Sequence, residues 1–259
     1  MITLFLICTA VVMLVFAAVW AISVRMRNYG LLDAAWSLSC AALAPVYALA
    51  GSAPASRRWL ITAAGVVWSL RLGTAILRRV LRHHPVEDRR YLTLRERWPG
   101  KGLFFLFFQI QALIAMVFSL PFLLTAFDGE PLLRPLEIAG VILAVIGIAG
   151  ESLADAQLAT FIRDSRGSGQ VCQTGLWRYS RHPNYFFESL VWWGFFLAAV
   201  SSPWGWITLA CPVLMLYFLL CVTGIPLTEK HSLKSKGEAY RAYQRRTSIF
   251  IPWFPRNPS

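Results

Sequence analysis

Apolar runs separated by short polar breaks dominate this chain. Two of them, 2–24 and 103–127, contain no Asp, Glu, Lys or Arg, and each exceeds the roughly 20 residues a helix needs to cross a bilayer. Further runs lie at 34–50, 59–77, 136–157, 186–200 and 204–226. The pattern predicts an all-α integral membrane protein with seven transmembrane helices in a single domain over 1–259. The first run is too long for the apolar region of a cleaved leader and lacks a basic start, so it reads as a retained helix. Connections alternate in length. "GSAPASRR", "DGEPLLRP" and "SSPWG" are short turns, whereas 78–102, 158–185 and the tail from 227 are longer and polar. In the tail, Glu229, Leu233, Lys236 and Tyr240 fall on one helical stripe. "IPWFP" cannot continue a helix and is expected to lie against the membrane surface.

Hydrophobic residues make up 57% of the 259 and charged residues 15%, with a net charge of +12. So basic a chain invites a nucleic-acid reading, but the placement of the charge points to topology instead. Of 25 Lys and Arg, 21 fall on the side of the C-terminal tail, Arg57, Arg58 and Arg134 fall opposite, and Arg71 lies within a run. This bias predicts an outside N-terminus and a cytoplasmic C-terminus, with the basic loops against anionic lipid. The five cysteines show no metal-like pairing. Four of them (Cys8, Cys40, Cys211, Cys221) lie in apolar runs and read as buried thiols.

The informative residues are ionisable groups inside or beside the runs, each costing about 2.5–3.5 kcal/mol at a helix centre. Asp33 opens the second run, with Trp36 and Ser37 on its face. It is either an interfacial residue favoured by the helix dipole or a carboxyl group facing a cavity. Arg71, Thr74, Arg78 and Arg82 form a stripe toward the basic edge. Snorkelling accounts for Arg78 and Arg82, while Arg71 lies two turns deeper, and such a stripe suits a ligand with several phosphates. "EDRRYL" (87–92) follows, as a solvated loop or a lid. Glu151 and Asp155 share a helix face, with Arg163 and Arg166 beyond to neutralise them, or with one carboxylate left for a ligand. In "GLWRYSRHPNYFFESLVWWGFF" (175–196), Pro183 suits a first helical turn. Asn184, Glu188 and Trp192 recur every four residues. Arg178, Arg181, His182 and Tyr185 crowd the same edge, where Trp177 and Tyr179 also suit an interfacial aromatic belt.

No glycine-rich dinucleotide fingerprint, phosphate loop, H-E-x-x-H element or G-x-S-x-G element is present. No metal site is expected, and any nucleotide would need a site built among membrane helices.

"GLWRYSRHPNYFFE", "LADAQLATFIR", "RLGTAILRR…EDRRY" and the tail "TGIPLTEKHSLKSKGEAYRAYQRRTSIFIPWFP" resemble the bacterial branch of the steroid 5α-reductase family. The resemblance runs from about Asp33 to Pro252. It implies seven transmembrane helices in the bacterial inner membrane and NADPH held among them. The implied reaction is hydride transfer to the carbon–carbon double bond of a lipid-soluble enone, such as a 3-keto-4-ene steroid, entering from the bilayer. It places Asp155 and Arg163 on cofactor-contacting positions, Asn184 at the nicotinamide end and Glu188 one turn later. Arg71, Arg79 and Arg82 fall on the adenosine and phosphate pocket. Tyr179, Arg181, His182, Tyr185, Glu229, His231 and Tyr240 complete the cofactor set. Asp33 falls near the family's catalytic glutamate, where donating to a ketone requires a protonated carboxyl group. Trp68 falls nearest the catalytic tyrosine, whose acidic proton it lacks.

A rival resemblance is to the isoprenylcysteine carboxyl methyltransferases, which share an R-H-P-x-Y element and a Glu-then-Tyr tail (here Glu229 and Tyr240) and use S-adenosylmethionine. The arginine stripe and Asp155 favour the phosphate-bearing cofactor. A third alternative is a non-catalytic membrane scaffold in which the polar cluster is structural.

Overall fold

A computed structural model of the chain describes residues 1–98, 100–165 and 169–256. Among these the regular structure is helical, with ten α-helices: α1 (Ile2–Met26), α2 (Leu31–Ala50), α3 (Ala55–His83), α4 (Arg89–Arg97), α5 (Lys101–Phe118), α6 (Leu120–Ala126), α7 (Pro135–Asp164), α8 (Pro183–Ala199), α9 (Ala210–Tyr217) and α10 (Ile225–Arg246). Six helical stretches are long and apolar enough to cross a membrane: α1, α2, α3, Lys101–Ala126, α7 and Gly205–Arg246, the last of which is apolar to about residue 226 and polar beyond. The apolar stretch at α8 is shorter, at 17 residues. Contacts divide the chain into two compact units, Met1–Ile138 with Phe196–Thr208, and Ala139–Phe195 with Leu209–Ser259.

In the first unit α2 packs along α3. Pro45 deprives the Ala41 carbonyl of its helical partner, and one turn earlier a hydroxyl from α3 enters the α2 ladder. Ser69 Oγ donates to Ser37 O (2.5 Å) and accepts from Ala41 N (2.8 Å), standing where the Ala41-to-Ser37 backbone bond would run. Polar anchoring of this kind suits an apolar surrounding, where an unpaired backbone group is expensive. Pro121 likewise divides α5 from α6 at Ser119, whose hydroxyl meets Tyr47 at 3.2 Å.

In the second unit α7 and α8 run antiparallel in close contact. A Cβ at Gly147 would lie 2.8 Å from Phe187 O, and one at Gly194 would lie 2.6 Å from Gly140 O. Small residues therefore allow the backbones to approach as they do between membrane helices. The crossing brings the end of α7, with Asp155, to the start of α8, with Asn184.

α3 stays helical through His83, so Arg71, Thr74, Arg78 and Arg82 lie on one continuous helix. Two expectations from the sequence change. Cys172 is buried outside any apolar run and Cys221, within one, is exposed on the π-helical turn Phe218–Val222. The tail stripe is interrupted. Gly237 adopts φ 53 and ψ −126, breaking α10 between Lys236 and Tyr240, so the stripe does not continue along one straight helix.

Candidate functional site

Two polar clusters, one in each unit, collect most of the residues singled out from the sequence.

In the first unit, α4 begins with an N-cap. Asp88 Oδ1 accepts from Arg90 N at 2.9 Å, and both Asp88 oxygens accept from the Arg90 guanidinium at 3.0–3.1 Å. Arg90 Nη2 also donates to Asp33 Oδ2 at 2.7 Å, and the Tyr91 hydroxyl donates to Asp33 Oδ1 at 2.7 Å. A second clasp lies beside the first. Glu87, buried, accepts from Tyr29 N at 2.5 Å and from Arg95 Nε and Nη2 at 2.7 and 3.1 Å. Arg95 lies over the Tyr29 ring at 4.3 Å, and Tyr29 stacks on Phe104 at 4.0 Å. "EDRRYL" is thus neither a solvated loop nor a detached lid, since its helix is docked on the start of α2.

These contacts revise the chemistry expected of Asp33. Both of its partners donate, so it acts as an acceptor, and the proton-bearing group of the pair is Tyr91. Burial, then the neighbouring Asp33 charge, pushes the Tyr91 phenol well above its ordinary value, so it remains a hydrogen-bond donor at neutral pH. Burial alone would raise Asp88, but the hydrogen bonds and charge of Arg90 outweigh it and hold that carboxyl below its usual value. Trp68 is fully buried and packs edge-on against Trp36. Arg71 buries its Nε and Nη2, while Arg79 and Arg82 are exposed at the end of α3.

In the second unit the α7–α8 crossing sets Asn184 Nδ2 3.3 Å from Asp155 Oδ1. Asn184 Oδ1 is buried and has no hydrogen-bond partner among the described residues. Glu188 is buried and accepts from the Trp192 indole at 3.0 Å. Trp192 therefore supports the acid rather than serving as plain membrane packing.

In the same unit Glu229 is the centre of a clasp. It accepts from Arg181 Nε (3.0 Å) and Nη2 (3.2 Å), His182 Nε2 (2.9 Å), the Tyr240 hydroxyl (2.6 Å) and Gln244 Nε2. Arg181 Nη1 also donates to the Gln244 and Thr247 carbonyls. Burial would raise the Glu229 carboxyl, but the hydrogen bonds from His182, Tyr240, Gln244 and Arg181 bring it down to about 2. His182 stacks parallel on Tyr185, whose hydroxyl lies 3.3 Å from Thr228 Oγ1. Tyr179 packs edge-on against Phe254. Arg163 is exposed and pairs with its neighbour Asp164, His231 is exposed, and Arg166 lies outside the described residues.

The sequence pattern did not single out Arg90, Tyr91 or Gln244, and it marked Trp192 only by its four-residue spacing from Glu188. For α4 the signal was present, an Asp cap three residues before a Tyr on a short amphipathic helix. For Gln244 it was not, because its contact with Glu229 depends on the break at Gly237.

The family model described as "Protein of unknown function (DUF1295)" matches residues 19–247. A Schizosaccharomyces pombe protein, "Uncharacterized protein C594.04c", is 27% identical over 265 residues, covering 90% of this chain and 75% of its own. No solved structure matches the chain.

Proposed function

We propose, from the premise that the chain belongs to the DUF1295 family, which includes steroid 5α-reductase-like proteins, that it is an NADPH-dependent membrane reductase. It would saturate the 4,5 double bond of a 3-keto-4-ene steroid or a similar lipid enone arriving from the bilayer. The observation that carries this reading is the Tyr91 phenol held on Asp33 at 2.7 Å. Saturating an enone adds a hydride at the β-carbon and a proton at the α-carbon, and negative charge builds on the ketone oxygen meanwhile. A buried phenol that stays protonated is a donor suited to that oxygen. When the phenol turns toward a ketone, Arg90 keeps Asp33 paired.

The second unit offers a fit for the cofactor. The buried, unpartnered Asn184 Oδ1 is an acceptor for a carboxamide N–H, and Asp155 fixes the amide orientation by accepting a hydrogen bond from Asn184 Nδ2. A reduced nicotinamide bound there supplies the hydride. Asn184 and Asp155 orient its ring, and Trp192 holds Glu188 beside them.

The reading also completes the topology. The 17 residues of α8 extend about 25 Å at 1.5 Å per residue, near the roughly 30 Å of a hydrocarbon core. α8 then serves as the seventh span, with the N-terminus outside and the tail on the cytoplasmic side of a bacterial inner membrane. That arrangement gathers 21 of 25 Lys and Arg on one face.

The test is ligand-dependent melting of the purified protein in detergent, followed by NADPH oxidation with a 3-keto-4-ene steroid. Stabilisation by NADPH above NADH, abolished in Asn184→Ala and Asp155→Ala, is expected, with turnover lost in Tyr91→Phe. Selective stabilisation by S-adenosylmethionine would overturn the reading in favour of a methyltransferase. Against that rival, Glu229 and Tyr240 are engaged with each other.

A further inference from the structure

The chain after α10 has a role that the reductase reading leaves unused. It leaves the helix at Thr247 in extended conformation (φ −116, ψ 136) and runs beside the 177–181 loop, fixed at several points. Arg181 N donates to Ser248 O (2.8 Å), Ser180 Oγ to Phe250 O (2.7 Å), Trp253 N to Tyr179 O (2.9 Å) and Arg256 N to Arg246 O (2.8 Å). On this braced backbone Ile249, Ile251 and Trp253 alternate along one side, as extended chain requires. They are 46%, 61% and 70% exposed, and Phe254 is 76% exposed. Phe250, between them, turns inward against Phe186. An apolar patch held open on a rigid segment marks a contact surface.

The surroundings identify its occupant. Residues 245–256 contain three arginines (Arg245, Arg246, Arg256) and no acid, all three arginines being exposed. Trp and Phe beside arginine match the chemistry of a lipid headgroup layer, with aromatic rings at the boundary and cations on phosphate. The same chain carries apolar membrane-crossing helices, so a bilayer is always within reach. A partner strand is poorly served here. Pro252 and Pro255 have no N–H, and those of Trp253 and Arg256 are used within the chain.

We propose that residues 249–254 are an interfacial anchor. They seat Ile251, Trp253 and Phe254 in the headgroup–acyl boundary of an anionic leaflet, and through their backbone bonds they fix the 177–181 loop to the membrane plane. The anchor does not depend on the reductase reading.

The test uses the full-length protein in lipid nanodiscs, with Cys221→Ser removing the one exposed cysteine. A spin label at Ile251→Cys or Trp253→Cys is read by its collisions with oxygen and with a water-soluble nickel chelate. Ser235→Cys, exposed on α10, is the aqueous reference. The labels at 251 and 253 are expected to favour oxygen, at a depth of about 5–10 Å. Nickel contact should fall further when phosphatidylglycerol is added to phosphatidylcholine. Nickel contact equal to that at 235 in both lipids would overturn the anchor. So would spin–spin broadening that vanishes on dilution with unlabelled protein, which would assign the patch to a second copy of the chain.

Discussion

The Tyr240 hydroxyl meets Glu229 Oε1 at 2.6 Å although eleven residues separate them along α10. In a straight helix that separation spans about 16 Å, and Gln244, fifteen residues on, also reaches Glu229. Gly237 makes the return, at φ 53 and ψ −126, a region that in effect only glycine occupies. A Cβ there would meet nothing within 4 Å, so the cost of a side chain comes from the backbone alone. Gly237→Val is expected to destabilise by about 1–3 kcal/mol, seen as a lower melting temperature in detergent. Gly237→Asn should give no rescue, because asparagine tolerates the ordinary left-handed region and not this one. Full stability of the valine variant would show that the return does not rest on Gly237.

The Glu229 clasp makes stability depend on acid. Its carboxyl sits at about 2, against an ordinary value of 4.5. A depressed carboxyl contributes stability that is complete above the unfolded pKa and is lost as pH falls through the folded one. Melting temperature should therefore decline between about pH 4.5 and 2. Asp88 and Asp128, also held low, contribute to the same decline, so the diagnostic is a difference. Glu229→Gln should melt lower than the parent at neutral pH, and the gap should narrow as acid removes the parent's advantage. A gap that stays constant down to pH 2 would assign the loss to packing instead of charge.

The separation of these features in sequence explains what could be read without coordinates. Apolar runs declared the membrane helices because a 3.6-residue period and hydrocarbon solvation are local properties. Asp33, Asp155 and Asn184 stood out because a polar group at a span edge is costly wherever it points. Their partners did not stand out. Tyr91 is 58 residues from Asp33 and Gln244 is 15 from Glu229, and both pairings follow from how a short helix docks or reverses. The reversal turns on one glycine dihedral, which hydrophobic patterning does not report. Trp192 was visible at i+4 from Glu188, but spacing alone does not report that its indole donates to the carboxylate.

Arg90 is the link between the α4 cap and Asp33, through Asp88 at 3.0 Å and Asp33 at 2.7 Å. Replacing it removes both bonds and leaves the Tyr91 hydroxyl as the remaining tie of α4 to Asp33. Arg90→Met should speed amide hydrogen exchange across 88–97 by at least about tenfold, equal to 1.4 kcal/mol of lost protection, with α2 unaffected. Tyr91→Phe keeps the ion pair and should preserve most of that protection. Its loss of turnover with an enone substrate would then be chemical, not structural. Equal loosening in both variants would reduce the pair to scaffolding.

A buried ion pair fixes the loop between α6 and α7. Arg57, 2% exposed, donates to Glu137 Oε1 at 2.6 Å and to the carbonyls of Asp128, Glu130 and Leu132. Removing one member of such a pair strands the other, along with three carbonyls, and costs about 3–5 kcal/mol. Arg57→Met should therefore lower the midpoint of unfolding in mixed detergent micelles more than any other single change considered above. Glu137→Gln keeps an acceptor for Nε and leaves Arg57 its carbonyls, so its effect should be smaller. Arg134, which pairs with Asp128 at 2.6 Å at a partly exposed site, should contribute least, and Arg134→Ala is expected to cost no more than about 1 kcal/mol. The order Arg57, Glu137, Arg134 tests whether burial sets the value of these charges. An Arg134 effect as large as that of Arg57 would show instead that the whole loop unfolds as one unit.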